Sequence, residues 1–262
     1  MISDTYATLS ESPPQTVLVA IPAYNEAENI VSVVYEAAAH GDVLVVDDGS
    51  TDDTAARALA AGASVVRHDG NRGYGAALKT AFREGAARDV DALVVLDADG
   101  QHDVADVDRL VGQLADSDAD VVVGSRFTGD VDSDIPAYRR LGLWVVNGAT
   151  NLTLDGATVR DTQSGFRAYA GPVVESLAEA DDVCDGMAAS TDILYHVVSR
   201  GFTVDEVGVV VRYDGDDTST MNPVVHGVEL LANIARRTVQ RRVGGRRRTG
   251  SNPHVEANRA QR

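Results

Sequence analysis

Two acidic residues one position apart carry the clearest chemistry in this sequence. Asp97 and Asp99 follow directly after the apolar run at 93–96, and Gln101 comes two positions later. A continuous apolar run is typical of a buried strand in a parallel sheet, and open α/β sheets bind ligands at the carboxyl ends of such strands. Carboxylate and amide oxygens suit Mg²⁺ or Mn²⁺, which would hold a phosphate-bearing substrate there. Taken alone, the pair would more often be a solvated turn, because such pairs are common at strand ends.

Two further polar groups stand at the ends of predicted strands. The run at 16–21 leads to Tyr24 and Glu26, and the run at 43–46 ends in Asp48. Parallel strands place their carboxyl ends at one edge, so these groups should converge with the paired acids. A bound nucleotide could then use Asp48 and Glu26 on its base or ribose. A dinucleotide site is not expected, because the first strand does not end in a Gly-x-Gly-x-x-Gly turn.

Predicted strands and helices alternate through the first half of the chain. Apolar runs predict strands at 16–21, 43–46, 63–67, 93–96 and 121–124. Helical spacing of apolar residues predicts helices at 30–41, 50–61, 76–88 and 104–114. Pro22 should end the first strand, and Ser50 with Asp53 resembles a capping box for the second helix. This order predicts an α/β fold with a mostly parallel, Rossmann-like sheet flanked by helices.

After Gly124 the alternation gives way to longer connections. We expect a helix from about 135 to 150, a loop at 161–167 entering a strand, a helix at 189–200 and a last strand at 204–211. An amphipathic helix at 224–243 would follow. The expected organisation is a flexible N-terminus at 1–15, one folded domain at 16–215, an amphipathic segment at 216–243 and a disordered basic tail at 244–262.

Composition sets further bounds. The chain has 23 basic and 40 acidic residues, a formal charge of −17, and Lys79 as its only lysine. Such a surface is tolerated where salt screens it, which predicts a salt-adapted organism, and it argues against nucleic acid as a partner. The single cysteine, Cys184, together with the lack of a bilayer-spanning run and of a secretory pattern, predicts a cytoplasmic protein.

Several motifs resemble those of the family-two glycosyltransferases. They are IPAYNE at 21–26, VVDDGSTD at 45–52, DADGQH at 97–102 and GSR at 124–126. The motif DTQSGFRA at 161–168 is similar to the dolichyl-phosphate mannose and glucose synthase branch. The resemblance covers residues 17–213 and implies a GT-A fold at 16–215, a divalent metal (Mg²⁺ or Mn²⁺) and a nucleotide-diphosphate sugar donor of the GDP-mannose or UDP-glucose type. It also implies a polyprenyl (dolichyl) phosphate as acceptor.

The resemblance implies roles for individual residues. The nucleoside would be held by Pro22, Tyr24, Glu26, Val46 and Asp48. The metal and diphosphate would be held by Asp97, Ala98, Asp99 and Gln101, with the metal on Asp97, Asp99 and Gln101. Arg126 would contact the donor, Arg212 its phosphates, and Arg139 or Arg140 the acceptor phosphate. Asp192 lies near the position where related transferases place a base, and the alternative is an exposed residue at a helix start.

The favoured function is a metal-dependent, inverting transfer of a hexose from a nucleotide-diphosphate sugar to a polyprenyl phosphate. An alternative is transfer to a growing glycan, for which Asp192 would have to act as a base. A nucleotidyltransferase would need a glycine- and lysine-rich loop after the first strand, which the sequence lacks. A nucleotide-sugar-binding subunit without turnover is a further alternative.

A lipid acceptor requires contact with a membrane surface. The amphipathic helix at 224–243 carries four arginines and could lie in the headgroup region, which would place the protein peripherally on the inner face of the cell membrane. Packing against the rest of the protein is the competing expectation for this helix. The single tryptophan, Trp144, lies in the helix expected to meet the acceptor; core packing is the favoured expectation for it, and contact with lipid is the alternative. The isolated histidines, His68 and His196 among them, are expected to be surface or packing residues.

Overall fold

The computed structural model describes residues 16–129, 137–154 and 156–211. Four of the expectations above fall outside these residues. They concern the N-terminus at 1–15, Arg212, the amphipathic helix at 224–243 and the basic tail at 244–262.

Seven strands and seven helices form the described part of the chain. The strands are β1 (Val17–Ala23), β2 (Asp42–Asp47), β3 (Ser64–Arg67), β4 (Ala92–Val95), β5 (Val121–Ser125), β6 (Arg167–Ala170) and β7 (Val204–Gly208). The helices are α1 (Ile30–Ala37), α2 (Thr54–Ala60), α3 (Tyr74–Ala87), α4 (Asp106–Asp116), α5 (Ala137–Asn151), α6 (Gly171–Ala178) and α7 (Ala189–Ser199). Only α6 has no counterpart among the predicted helices.

The strands form one sheet in the order β3-β2-β1-β4-β6-β5-β7. Every neighbouring pair is parallel except those of β6, which runs antiparallel to both β4 and β5. The predicted α/β fold with a mostly parallel sheet is therefore confirmed. Strands β1, β2, β4 and β5 end at the same edge of this sheet, which we call the carboxyl edge.

Both faces of the sheet are covered, which explains the continuous apolar runs of its strands. Alternate residues of each strand point to opposite faces. On one face Leu18 and Leu93 pack with α3, α6 and α7, and on the other Val19 and Val94 pack with α1 and α4. Strands buried on both sides need apolar residues at every position, so their sequences lose the polar alternation of a half-exposed sheet.

Pro22 does not end β1 as predicted, since the strand continues to Ala23. The backbone carbonyl of Ala20, two residues earlier, faces β4, where it accepts the N–H of Leu96 at 3.0 Å. Pro22 therefore faces β4 as well, but the pairing of β1 with β4 ends at Ala20 and Val95. The proline, which has no N–H to donate, therefore stands just beyond the last paired residues of this ladder while β1 continues its pairing with β2.

Candidate active site

The loops after β1 and β2 are tied together at the carboxyl edge. Asn25 has a φ of 57°, a left-handed conformation that asparagine tolerates better than most residues. Its side-chain oxygen accepts the N–H of Thr51 at 2.8 Å, and its own N–H donates to the hydroxyl of Ser50 at 2.9 Å. The N–H of Glu26 donates to the hydroxyl of Thr54 at 2.8 Å. These hydrogen bonds fix Glu26 beside the end of β2.

The capping box predicted for α2 is wrong. No side chain caps this helix, whose first residue is Thr54. The hydroxyl of Ser50 instead donates to the buried carboxylate of Asp47, which Arg67 also contacts at 3.1 Å. The hydroxyl of Ser50 also accepts the backbone N–H of Asn25, so Ser50 joins the loop after β2 to the loop after β1. A local capping pattern in the sequence cannot reveal this contact.

Asp48 organises the loop that precedes α3. Its carboxylate is 4% exposed and accepts the backbone N–H groups of Arg72 at 3.0 Å and Gly73 at 2.7 Å. His68 Nδ1 lies 2.7 Å from Asp48 Oδ1, and His68 Nε2 lies 2.9 Å from the hydroxyl of Thr80. Three of the acceptor positions of the carboxylate are thus already used within the protein. His68 is a buried member of this site that sequence reasoning left among the isolated histidines.

Asp97 sits in a pocket of polar and glycine neighbours. The hydroxyl of Tyr74 donates to its Oδ1 at 3.3 Å, and His102 Nε2 lies 3.6 Å from its Oδ2. Burial tends to raise the pKa of Asp97, but His102, Tyr74 and Arg126 together hold it below the ordinary value. Asp97 is therefore a stable carboxylate at neutral pH. His102, which packs at 5.0 Å on the ring of Phe166, is a second site residue without a predicted role.

The pKa values of Asp99 and Glu26 are shifted in the opposite direction, upward. Burial and the nearby charge of Asp97 raise the pKa of Asp99. Burial also raises the pKa of Glu26, whereas the hydrogen bond from Asn29 lowers it. The charges of Asp99 and Asp97 raise this pKa further. Strands β1 and β4 pair in parallel, so their carboxyl ends lie side by side, as the sequence predicts. The mutual repulsion of the carboxylates favours a cation between them.

The donor set suits a divalent cation that is shared with a substrate. Within residues 16–129, 137–154 and 156–211, no three histidine, cysteine or acidic side chains are arranged to hold a metal by themselves. Asp97 and Asp99 would supply one or two carboxylates, and Mg²⁺ commonly fills its remaining positions with phosphate oxygens and water. The N–H of Gln101 donates to Asp99 Oδ1 at 3.0 Å and orients that carboxylate. The predicted contact of the Gln101 side chain with the metal stays a prediction.

The other residues expected around the nucleoside lie at the same edge. Pro22 pairs with Val46 in the sheet, and both side chains are buried, as is Ala98. Tyr24 is 44% exposed beside them. The strand ends thus bring the predicted residues together, and their contacts with a nucleoside stay predictions.

Arg126 is clamped by a buried carboxylate. Its Nε and Nη2 donate to the two oxygens of Asp161 at 2.7 Å each, and its backbone N–H donates to Asp161 at 3.0 Å. Asp161 is fully buried. A two-pronged pair of this kind fixes the plane of the guanidinium, which lies near enough to help lower the pKa of Asp97. The sequence motif at 161–168 contains Asp161 but does not reveal it as the partner of Arg126.

Two distant elements hold the loop that carries Asp161. The carboxylate of Glu206, on β7, accepts the N–H groups of Arg160 at 2.9 Å and Asp161 at 3.0 Å. The side-chain oxygen of Asn147, on α5, accepts the N–H of Thr162 at 3.0 Å. Helix α5 therefore positions Arg126 indirectly, through the loop at 160–162.

Asp192 is buried, so the alternative of an exposed residue at a helix start is wrong. It is 1% exposed, and its carboxylate accepts the N–H of Cys184 at 3.0 Å. Nearby, the buried guanidinium of Arg167 donates to the carbonyls of Ser190 and Thr162 at 2.9 Å each. These contacts join the start of α7 to the loop of the Arg126 clamp. A role for Asp192 as a base stays a prediction.

The residues predicted for the acceptor lie on α5 in part. Arg140 is exposed on this helix, whereas the side chain of Arg139 lies outside the described residues. Arg212, which is predicted for the donor phosphates, lies outside them as well. Trp144 is 73% exposed, so the expectation that it packs in the core is wrong. The core face of α5 is formed instead by Val146, Asn147 and Thr150.

Comparisons with known proteins agree with this geometry. Residues 18–177 match the family model described as Glycosyl transferase family 2. The chain is 35% identical over 207 residues to polyprenol monophosphomannose synthase of Mycolicibacterium smegmatis, covering 75% of this chain and 77% of that protein. It is 31% identical over 228 residues to glycosyltransferase AglJ of the halophile Haloferax volcanii, covering 86% of this chain and 72% of that protein.

A solved structure supports the fold. Glucosyl-3-phosphoglycerate synthase from Mycobacterium tuberculosis, in complex with Mn²⁺ and UDP-glucose, superposes with a TM-score of 0.65 at 25% identity. The match covers 86% of this chain and 79% of that chain. The expected GT-A fold is confirmed, and the halophilic relative agrees with the salt adaptation predicted from the acidic composition.

Proposed function

The chain belongs to glycosyl transferase family 2, and we propose that it transfers a hexose from a nucleotide-diphosphate sugar to a polyprenyl phosphate with inversion at the anomeric carbon. The strongest support is the convergence of Asp97, Asp99 and Glu26 at the carboxyl edge, where the charge of Asp97 adds to burial in raising the pKa values of the other two. A site so rich in carboxylates needs a cation before it can accept the diphosphate of a donor. The M. smegmatis relative, named for a polyprenol acceptor and for mannose, supports the choice of acceptor.

In this proposal Asp97 and Asp99, with Gln101, hold Mg²⁺ or Mn²⁺ against the diphosphate. The metal would supply charge stabilisation for the departing nucleoside diphosphate. Arg126, held rigid by Asp161, keeps a fixed positive charge beside this site. A fixed donor of this kind needs no reorganisation when charge develops on the leaving group.

The acceptor explains why no strong base is required. A phosphate monoester is already anionic at neutral pH, so the chain has mainly to position it against the anomeric carbon. Arg139 and Arg140 on α5 would hold that phosphate, with Arg212 on the donor phosphates. Asp192, whose carboxylate is bound to the N–H of Cys184, would then serve the structure more than the chemistry. Transfer to a glycan hydroxyl would instead need Asp192 as a base.

The nucleoside and sugar are proposed only as a class. In this proposal Asp48 and Glu26 would meet the base or ribose of a donor of the GDP-mannose or UDP-glucose type, with Pro22, Tyr24 and Val46 beside them. The solved relative that binds UDP-glucose with Mn²⁺ supports a nucleotide-sugar donor and a divalent metal.

A membrane surface is proposed as the place of reaction, because a polyprenyl phosphate resides in lipid. Within the part of the chain that the structure describes, no helix has the length and apolar character needed to span a bilayer. We infer a peripheral location on the inner face of the cell membrane, where nucleotide sugars are available.

The direct test is incubation with a panel of nucleotide sugars, Mn²⁺ or Mg²⁺ and a polyprenyl phosphate at high salt, followed by mass analysis of the lipid. We expect one hexose per lipid phosphate with one donor of the panel, and no product with chelator. Hydrolysis or transfer only to a glycan would contradict the proposed acceptor. Donor binding without any product would instead favour a non-catalytic sugar-binding subunit.

A further inference from the structure

Helix α5 and the residue after it present large apolar side chains to solvent. Trp144 is 73% exposed, Val145 is 45% exposed and Leu152 is 88% exposed. Their spacing of one, seven and eight positions places them within about 100° of arc on one side of the helix. Gly148 lies between them, with nothing within 4 Å of the position of a Cβ. We call Trp144, Val145, Gly148 and Leu152 the α5 strip.

The α5 strip also differs from the rest of the molecule in charge. The chain has 40 acidic residues, but none lies within Ala137–Asn151, which carries Arg139 and Arg140. Arg140 is exposed next to the strip. An anionic surface would be repelled by most of this protein, and α5 offers it an apolar contact free of acids and flanked by a cation.

The adjacent side of the same helix is joined to the active site. Asn151 holds the backbone of Val159 through two hydrogen bonds, of 2.8 and 3.0 Å, and Asn147 holds that of Thr162. These contacts fix the loop that carries Asp161, and Asp161 in turn holds the side chain of Arg126. Helix α5 therefore carries both the α5 strip and the side chains that fix the loop of Asp161, the partner of Arg126.

We propose that the α5 strip is the surface that this protein lays on a lipid bilayer, with Trp144 in the headgroup region. Tryptophan favours that region because its ring is apolar and its N–H is polar. A second copy fits less well, since three side chains of at most about 200 Å² each fall short of the ~800 Å² per partner of a typical stable interface. The proposal rests on the proposed function, because a polyprenyl phosphate is presented by a bilayer.

Trp144 is the only tryptophan of the chain, so its fluorescence reports on the strip without any substitution. With vesicles of phosphatidylcholine and phosphatidylglycerol at ~1 M salt, where charge attraction is screened, we expect a blue shift of its emission. Brominated lipids should quench that emission. Unchanged emission, with or without co-sedimentation of the protein, would overturn the proposal. So would a blue shift that grows with protein concentration in the absence of vesicles, because it would indicate a second copy.

A matched pair of substitutions tests the position of the contact. Leu152→Glu adds charge to the strip and leaves the reporter in place, and we expect at least about a tenfold loss of vesicle affinity. Leu59→Glu, at a 64% exposed leucine of α2, is the control and should change affinity little. Equal effects of the two substitutions would contradict a contact through α5.

Transfer assays separate this proposal from the proposed function. Leu152→Glu should transfer normally to a short-chain, water-soluble polyprenyl phosphate and poorly to a long-chain acceptor in vesicles. If the unmodified protein transfers to neither acceptor, the proposed function fails, while the fluorescence result still decides the membrane contact. Equal transfer by Leu152→Glu to both acceptors would contradict the role of the strip.

Discussion

Gly165 lies so close to Asp97 that any side chain at this position would displace the Asp97 carboxylate. A Cβ on Gly165 would be 2.8 Å from Oδ2 and 2.9 Å from Oδ1 of Asp97, and 2.9 Å from the hydroxyl of Tyr74. Separations under 3.0 Å are too short for ordinary contacts, so a larger residue would push the carboxylate aside. The glycine of the loop at 161–167 thus sets the position of a carboxylate at the end of β4.

We therefore predict that Gly165→Ala lowers transfer activity by about tenfold to a hundredfold, because metal sites tolerate little displacement of their ligands. The expected cause is weaker metal binding, measured as a higher Mn²⁺ concentration for half-maximal activity. Gly112→Ala on α4 is the control. Nothing lies within 4 Å of a Cβ at Gly112, so alanine there should leave activity unchanged and stabilise the helix by roughly 0.5–1 kcal/mol. Unaltered metal dependence in Gly165→Ala would contradict this interpretation.

The carboxylates predict how stability depends on pH and metal. The pKa of Asp99 is raised above the ordinary 3.8 and that of Glu26 above the ordinary 4.5, so the folded protein holds these protons more tightly than the unfolded chain does. The metal-free protein should consequently lose stability from these groups as pH rises through the window between the ordinary and the raised pKa. Stabilisation by Mn²⁺ and a nucleoside diphosphate should grow over the same window, which thermal unfolding at several pH values measures.

The same reasoning predicts that Asp99→Asn stabilises the metal-free protein at neutral pH and abolishes transfer. A neutral amide removes repulsion with Asp97 but is a poorer ligand for a divalent cation. Asp116→Asn, at the end of α4, is the control for the loss of one negative charge. If Mn²⁺ stabilised Asp99→Asn as much as it does the unmodified protein, the metal would not bind at this carboxylate.

The Arg126–Asp161 clamp should contribute strongly to stability. Removing one partner of a buried ion pair leaves the other charge uncompensated, so Asp161→Ala should lower the free energy of unfolding by about 3 kcal/mol, measured by denaturant titration at fixed salt. Glu84→Ala breaks the exposed pair with Arg88 and should cost at most about 0.5 kcal/mol. Similar losses in the two variants would mean that Asp161 contributes no more than a surface charge.

Donor binding should depend on His68, although it lies behind the site. His68→Ala removes the partner of Asp48 Oδ1 at 2.7 Å and should loosen the loop that Asp48 holds. We expect a several-fold higher KM for the nucleotide sugar with little change in kcat, and partial rescue by His68→Gln. A lower kcat at unchanged KM would contradict a role in positioning the loop. His40→Ala, which breaks an exposed contact with Asp108, is the control.

Acceptor binding should depend on the arginines of α5. Replacing Arg139 and Arg140 together by alanine should raise the KM for the lipid phosphate by about tenfold to a hundredfold, because each charge-assisted hydrogen bond to an anion contributes roughly 1.5 kcal/mol or more and one or both arginines would be lost as donors. The KM for the nucleotide sugar should stay nearly constant. Equal increases for both substrates would place these arginines on the donor or indicate a folding defect.

The sequence alone determined the sheet and its carboxyl edge. Strands such as β4 are buried on both faces, so their local composition is uniform and easily recognised. The polar residues that follow, from Glu26 to Asp97, then meet at one edge because parallel strands end on one side. These conclusions depend only on period, composition and strand direction, which are local properties of the chain.

The tertiary structure decided which polar groups serve each other. Asp161 and Arg126 lie 35 residues apart, and His68 and Asp48 lie 20 apart, so no spacing rule connects them. The antiparallel β6 brings the loop at 161–167 beside the end of β4, which makes Gly165 a neighbour of Asp97. Trp144 shows the same limit, because the helical period gives an apolar face but not whether a neighbouring element covers it. Whether such a face is covered depends on long-range packing, which exists only once the whole sheet is assembled.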